Sequence, residues 1–234
     1  MTRSIVITGG TGGLGTALAK RLAGPDTRLA ITYLLPDEAA AFEQEVGYDE
    51  ERMMLRRVDS TNAEALAGFM AEVADTWGPF HGLASLVGVW AGGRDVEDTD
   101  DLRFDRMIDI NLRSAFYATR AAVPHLKAAE YGRIVLVGSR AAIDTPAGQA
   151  AFNAAKAGVM ALGGTLAAEL ESTEVTASVL VPSVIDTPAT RATLPYADYV
   201  DWPTPDEIAA VAEFLLSEEA AVMNGALVPV YGRT

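Results

Sequence analysis

The sequence predicts an α/β fold of the doubly wound kind, a parallel sheet of about seven strands with helices on both faces. Three observations carry this expectation. Short apolar runs alternate with helical patterns along the whole 234-residue chain. The first run leads through a glycine-rich turn straight into a helix. No linker, low-complexity tract or internal repeat breaks the alternation, so residues 1–234 read as one domain.

The strand candidates are 4–8, 28–33, 52–56, 82–88, 133–138, 175–181 and 226–230, short apolar runs rich in β-branched residues. Runs of this kind suit strands covered on both faces, as in a parallel sheet. Helical patterns fill the intervals at 13–23, 37–46, 61–77, 100–129, 149–171 and 205–217. Ser60-Thr61-Asn62 and Thr204-Pro205-Asp206-Glu207 are helix-start signals, with cap-forming side chains and a proline suited to the first turn.

Net charge is −14, from 32 acidic against 18 basic residues. Binding to phosphate backbones or anionic membrane surfaces needs clustered cations, so neither nucleic acid nor membrane is expected as a partner. Cysteine is absent, which excludes disulfides, thiolate metal sites and cysteine nucleophiles. The acidic run 95–101 reads as a solvated loop with carboxylates gathered at a helix start. No histidine lies nearby, so no metal site is expected. His81 and His125 stand alone in sequence and read as surface or loop residues. The first strand begins almost at Met1 without a leader pattern, and no run of about 18 apolar residues occurs. A cytoplasmic setting is the expectation.

The first strand ends at Thr8, and Gly9, Gly10, Thr11, Gly12, Gly13, Leu14 and Gly15 follow. Glycine lets the backbone turn tightly and approach a phosphate without a Cβ in the way. Free N–H groups and the positive helix end then hold a pyrophosphate. A glycine motif alone is weak, but strand–turn–helix at the start of a βαβ unit is the context of a dinucleotide-binding Rossmann fold.

At this point the chain resembles the short-chain dehydrogenase/reductase family, over nearly its whole length. Thr8, Gly9, Gly13 and Gly15 match that family's T-G-x-x-x-G-x-G turn. The resemblance assigns Asp59, with Ser60, to the adenine. Of the family's N-N-A-G after the fourth strand only Gly88 survives, preceded by Val87. Asn111 matches the asparagine that shapes a proton-relay water site, and Ser139 the serine that hydrogen-bonds the substrate carbonyl. Lys156 matches the lysine that binds the nicotinamide ribose and lowers the pKa of a neighbouring tyrosine. Pro182-Ser183-Val184-Ile185-Asp186-Thr187 resembles the segment that meets the carboxamide, and VPVYG the last strand.

The departure from the family is Phe152. The family's Y-x-x-x-K motif places its tyrosine thirteen residues after the serine, and here that residue is phenylalanine. Lys156 lies one helical turn on, so both side chains share a face. Hydride transfer to a carbonyl leaves an alkoxide that needs a proton, and a benzene ring donates none. Three readings stay open: an introduced Tyr-to-Phe change, a native reductase with another proton source, and a non-catalytic dinucleotide-binding sensor or scaffold. The intact Asn111, Ser139 and Lys156 favour a redox scaffold.

The end of the second strand reads Thr32-Tyr33-Leu34-Leu35, with neither an acid for a ribose 2′-OH nor an arginine for a 2′-phosphate. Asp37 and Glu38 follow Pro36, late to reach the ribose, but tilt the cofactor from NAD or NADP towards NAD. Residues 186–204, carrying Tyr196, Tyr199 and Trp202, are expected to cover a small or medium carbonyl or alcohol substrate. Trp90, Ser139, Arg140 and Ser183 would complete that pocket. The helix at 149–171 carries little charge until Glu169, so a homo-oligomer, dimer or tetramer, is expected.

Overall fold

A computed structural model describes residues 2–47 and 49–233. The first half runs β1 (Arg3–Thr8), α1 (Gly13–Leu22), β2 (Thr27–Tyr33), α2 (Pro36–Val46), β3 (Met53–Arg57), α3 (Ala63–Trp77) and β4 (Gly82–Ser85). After α4 (Asp101–Ile108) and α5 (Ser114–Leu126) come β5 (Gly132–Val137), α6 (Ala141–Asp144) and α7 (Ala150–Glu169). The chain closes with β6 (Val175–Pro182), α8 (Pro188–Thr193), α9 (Pro205–Leu215) and β7 (Leu227–Val230).

All seven strands form one sheet in the order β3-β2-β1-β4-β5-β6-β7, and each neighbouring pair is parallel. The order reverses between β1 and β4. Period-two alternation sends Val6 to one face and Ile5 and Ile7 to the other. The first face is packed by α3, α5 and α7 through Leu66, Phe69, Ala118 and Val159. The second is packed by α1, α2 and α9 through Leu18, Phe42, Ile208 and Ala212. The edge strand β7 pairs its Pro229 with Val181, and the other edge, β3, ends in exposed Arg56 and Arg57.

Helix starts follow the sequence signals. Asn62 Oδ1 accepts from the N–H groups of Glu64 and Ala65, each at 3.0 Å. Thr204 and Glu207 cap α9 reciprocally, with Pro205 in the first turn. Two expectations need correction. The fourth strand stops at Ser85 rather than 88, because the chain leaves the sheet there. The helix expected over 100–129 is two helices joined by a π-helical stretch, Asp109–Arg113. The Asn111 side chain within it donates to the Met107 carbonyl at 3.1 Å and widens the turn.

Candidate active site

The carboxyl ends of β1 and β4 border the crevice that an open doubly wound sheet leaves at its reversal. Thr8, at the end of β1, places its hydroxyl 3.5 Å from that of Ser85. The chain then turns through Gly9, whose φ of +68° suits glycine. Gly9 N–H donates to Thr32 Oγ1 at 3.0 Å, and Gly10 N–H to the Thr32 carbonyl at 3.1 Å. A Cβ at Gly9 would lie 2.9 Å from a Val87 methyl, and one at Gly15 would lie 2.5 Å from the Gly10 backbone. Gly13 is looser, with Thr187 Cγ2 at 3.2 Å. Gly12 gives α1 no side-chain cap, and the first turn, with Leu14, holds no acidic residue. The helix end therefore keeps its free N–H groups and positive dipole, a fit for pyrophosphate.

The rim of this half differs from expectation at one point. Because Pro36 starts α2 at once, Glu38 folds back and its carboxylate accepts from the Thr11 hydroxyl at 3.4 Å. Glu38 thus reaches the glycine turn after all. Tyr33, ending β2, pairs with Arg57, whose Nε donates to the Leu34 carbonyl at 3.1 Å. Asp59 accepts from the Thr61 N–H and hydroxyl at 2.9 and 2.7 Å, and Ser60 beside it is buried.

Across the crevice, Gly88, Asn111 and Lys156 converge. Asn111 is buried and clamps the loop after β4: its Oδ1 accepts from Val89 N–H at 3.1 Å, and its Nδ2 donates to the Val89 carbonyl at 3.0 Å. A Cβ at Gly88 would sit 2.9 Å from Asn111 Oδ1 and 3.1 Å from Lys156 Nζ. The surviving glycine thereby has a physical reason, since it lets the backbone pass between two functional groups. Lys156, 5% exposed, donates to the Val137 carbonyl at 2.9 Å, and burial pushes its pKa down to about 8.

Ser139 follows β5, and its hydroxyl accepts from Ala141 N–H at 3.2 Å, which leaves its own proton to donate. Arg140 N–H donates to the Pro182 carbonyl at 2.9 Å, tying this turn to the end of β6. The Arg140 side chain is held by Asp144 at 2.8 Å and lies over the Tyr231 ring. Ser183 donates its hydroxyl to the Tyr231 carbonyl at 2.8 Å. Both side chains thus have partners within the chain while staying half-exposed. Phe152 is 7% exposed and packs with Met107, Ala151 and half-buried Val89, Ala91 and Ala141, apart from the two main core clusters.

The segment 186–204 is only partly ordered by secondary structure. Thr187 caps α8 by accepting from Thr190 N–H at 3.1 Å, Ile185 packs against the core and Val184 faces outward. Trp202 meets Tyr199 edge to face at 5.4 Å between ring centroids. Tyr196 is fully exposed and builds no aromatic wall. Trp90, in the loop after β4, donates its Nε1 to Gln149 Oε1 at 2.6 Å.

The family model for short chain dehydrogenases matches residues 3–196. The chain belongs to the short-chain dehydrogenase family. A 3-oxoacyl-[acyl-carrier-protein] reductase, MabA of Mycobacterium tuberculosis, is 31% identical over 240 residues, covering 99% of this chain and 92% of that protein. A D-beta-hydroxybutyrate dehydrogenase of Rhizobium meliloti is 32% identical over 83% of this chain and 76% of its own length. Among solved structures, a short-chain dehydrogenase/reductase from Serratia marcescens superposes with a TM-score of 0.89 at 27% identity, covering 98% of this chain and 96% of that one. No helix among the described residues is long and apolar enough to cross a membrane.

Sequence reasoning named Glu38 but judged it late to reach; its contact with Thr11 follows from Pro36, since proline in a first helical turn shortens the loop before it. Asn153, buried beside Phe152, carried no motif to mark it.

Proposed function

We propose that this short-chain dehydrogenase transfers hydride between NAD(P) and a small or medium carbonyl or alcohol. The observation that carries the reading is the convergence of Gly88, Asn111 and Lys156 across the crevice from an uncapped glycine turn. When bound, the nicotinamide supplies or accepts the hydride. The first turn of α1 holds the pyrophosphate, and Asp59 and Val87 flank the adenine side. Lys156 holds the ribose next to the nicotinamide, and Pro182, Ile185 and Thr187 border the carboxamide. Ser139 donates its hydroxyl proton to the substrate carbonyl, while Asn111 and Lys156 hold a water that delivers the missing proton slowly. Phe152 fills the donor's volume without donating. The curated relatives, a ketoacyl reductase and a hydroxybutyrate dehydrogenase, support a ketoreductase chemistry.

Glu38 at the glycine turn disfavours a 2′-phosphate, so NAD is the proposed cofactor. Fluorescence titration with NADH and NADPH tests both statements: NADH binds more tightly, and Gly13→Val, which sets a branched side chain against Thr187 and the phosphate path, abolishes binding. Absence of binding by either cofactor at millimolar concentration rejects the reading. Should cofactor bind while no ketone is turned over even after Phe152→Tyr, the sensor reading, favoured by the buried ring, takes its place.

The working form is proposed to be a cytoplasmic homo-oligomer, dimer or tetramer, with 186–204 covering the substrate. The outer face of α7 presents Ala154, Ala157, Ala161, Gly164, Thr165 and Ala168 to solvent, an uncharged face that a second copy would cover. Sedimentation equilibrium at micromolar protein is expected to show no monomer.

A further inference from the structure

In a chain with 32 acidic residues against 18 basic ones, Arg57 pairs with no carboxylate among the described residues. Its neighbour Arg56 shows the ordinary arrangement, donating from Nε and Nη2 to Glu72 Oε1 at 2.9 and 2.7 Å. Strand alternation separates the two. Arg56 falls on the sheet face covered by α3, where Glu72 lies. Arg57 falls on the opposite face, with Leu55 and Tyr33, the face covered by α1 and α2. There its Nε donates to the Leu34 carbonyl at 3.1 Å. That bond holds the guanidinium one residue beyond the end of β2. Both Nη groups are left without an acceptor among the described residues. The end of the second strand is where a Rossmann fold reads the 2′-position of the adenosine ribose.

The same rim carries the opposite charge. Glu38, in the first turn of α2, accepts from the Thr11 hydroxyl on the side of the glycine turn. Glu38 and Arg57 make no ion pair with each other, so neither neutralises the other. Leu34 and Leu35 between them in sequence are exposed and add no charge. A guanidinium whose Nη edge is free matches a phosphate through two parallel N–H···O bonds. A neutral ribose hydroxyl offers nothing comparable.

We infer that Arg57 is a specificity-determining residue for the cofactor: its free guanidinium edge takes the adenosine 2′-phosphate of NADPH, against the repulsion of Glu38, so that NADPH serves as a second cofactor beside NADH. The inference rests on the dinucleotide reading proposed above and deepens it. Glu38 alone would disfavour NADPH strongly, and with Arg57 opposing it the preference for NADH is narrow. The arginine comes from the third strand, brought to the end of the second by the parallel pairing of Tyr33 with Arg57. A search for a basic residue along the second strand alone passes it by.

The test titrates NADPH and NADH, by fluorescence, into the unaltered protein, Arg57→Gln and Arg57→Lys. Arg57→Gln is expected to weaken NADPH binding about tenfold, the lower end for charge-assisted bonds because the site is exposed to solvent. NADH affinity should move by no more than about twofold. Arg57→Lys, which keeps a point charge without the fork, should fall between. NADH binding by each variant shows that it has folded. An equal loss for both cofactors overturns the inference, since the guanidinium would then serve the adenine or the fold and not the phosphate. So does NADPH affinity that Arg57→Gln leaves unmoved, or an unaltered protein that binds NADPH more than about 10³-fold more weakly than NADH. Each of these leaves NADH binding, and with it the proposed function, intact. Failure of the unaltered protein to bind either cofactor rejects the proposed function and this inference together.

Discussion

Each end of the sheet buries a cation, and the two are treated differently. At the carboxyl end, Lys156 is 5% exposed and donates to one carbonyl, that of Val137. At the amino end, Arg133 is 2% exposed and donates to four, those of Gly132, Glu174, Ser217 and Glu218. Arg133 also lies over the Tyr131 ring, which in turn packs on His81. Its guanidinium fastens the end of α9 and the start of β6 to the sheet, and its donors are largely used up. Lys156 has three donors and gives one to the Val137 carbonyl, so capacity remains for further acceptors. A satisfied buried charge suits the scaffold, and an undersatisfied one beside a crevice suits the role proposed above for Lys156.

The largest effect should come from the Lys156 end. Phe152→Tyr is expected to raise kcat for ketone reduction by about 10²–10⁴-fold with little change in cofactor affinity. The activity should then follow a pH profile set by a tyrosine next to the Lys156 ammonium, absent from the Phe152 form. A ketone panel run on both forms checks this, and a faster Phe152 form would show that phenylalanine is a native adaptation.

Next comes the scaffold end. Arg133→Met should cost about 3 kcal/mol of folding stability, since it removes several charge-assisted bonds and strands buried carbonyls. Cofactor Kd, measured where the variant is still folded, should not move. A change in Kd would mean the two ends are coupled and the contrast is false.

Lys156→Met should weaken cofactor binding roughly tenfold through lost ribose hydrogen bonds. It also carries a signature in stability. The folded pKa is about 8 against an ordinary 10.5. Between those values the unfolded chain holds a proton that the folded chain has released, so stability of the cofactor-free protein rises with pH across that window. Denaturant titrations at pH 7.5 and 10 should show the rise, and Lys156→Met should remove it.

The smallest effect belongs to His81. Burial pushes its pKa below the ordinary 6.5, and its Nδ1 accepts from the Ser4 N–H at 3.2 Å. The folded state therefore resists protonation, and the stability it gives is lost as pH falls below about 6.5. Thermal melts at pH 5.5 and 7.5 should show a smaller difference for His81→Gln than for the unaltered protein.

The sheet was legible because it rests on local signals. Runs such as Ile5–Ile7 and Val135–Val137 are apolar on both faces, and a run of that composition has few other stable settings. The glycine turn was legible for the same reason, since Gly9 and Gly15 answer to steric demands that sequence context already implies. What stayed hidden depends on contacts between distant segments. Glu38 meets Thr11 across 27 positions, and Asn111, within the π-helical stretch Asp109–Arg113, meets the loop after β4 across 22. Ser183 meets the Tyr231 carbonyl across 48 positions.

The proline in β7 has one more consequence, for how molecules of this protein can meet. β6 donates to the carbonyls of Ala226 and Val230, so residues 227 and 229 turn their backbone groups to the open edge. At 229 that edge has a carbonyl but no N–H to offer. A foreign strand laid alongside would find its ladder interrupted at Pro229, which blunts templated aggregation and strand exchange at this edge. The opposite edge ends in Arg56 and Arg57, whose charge repels an identical neighbour. Growth into a continuous intermolecular sheet is hindered on both sides.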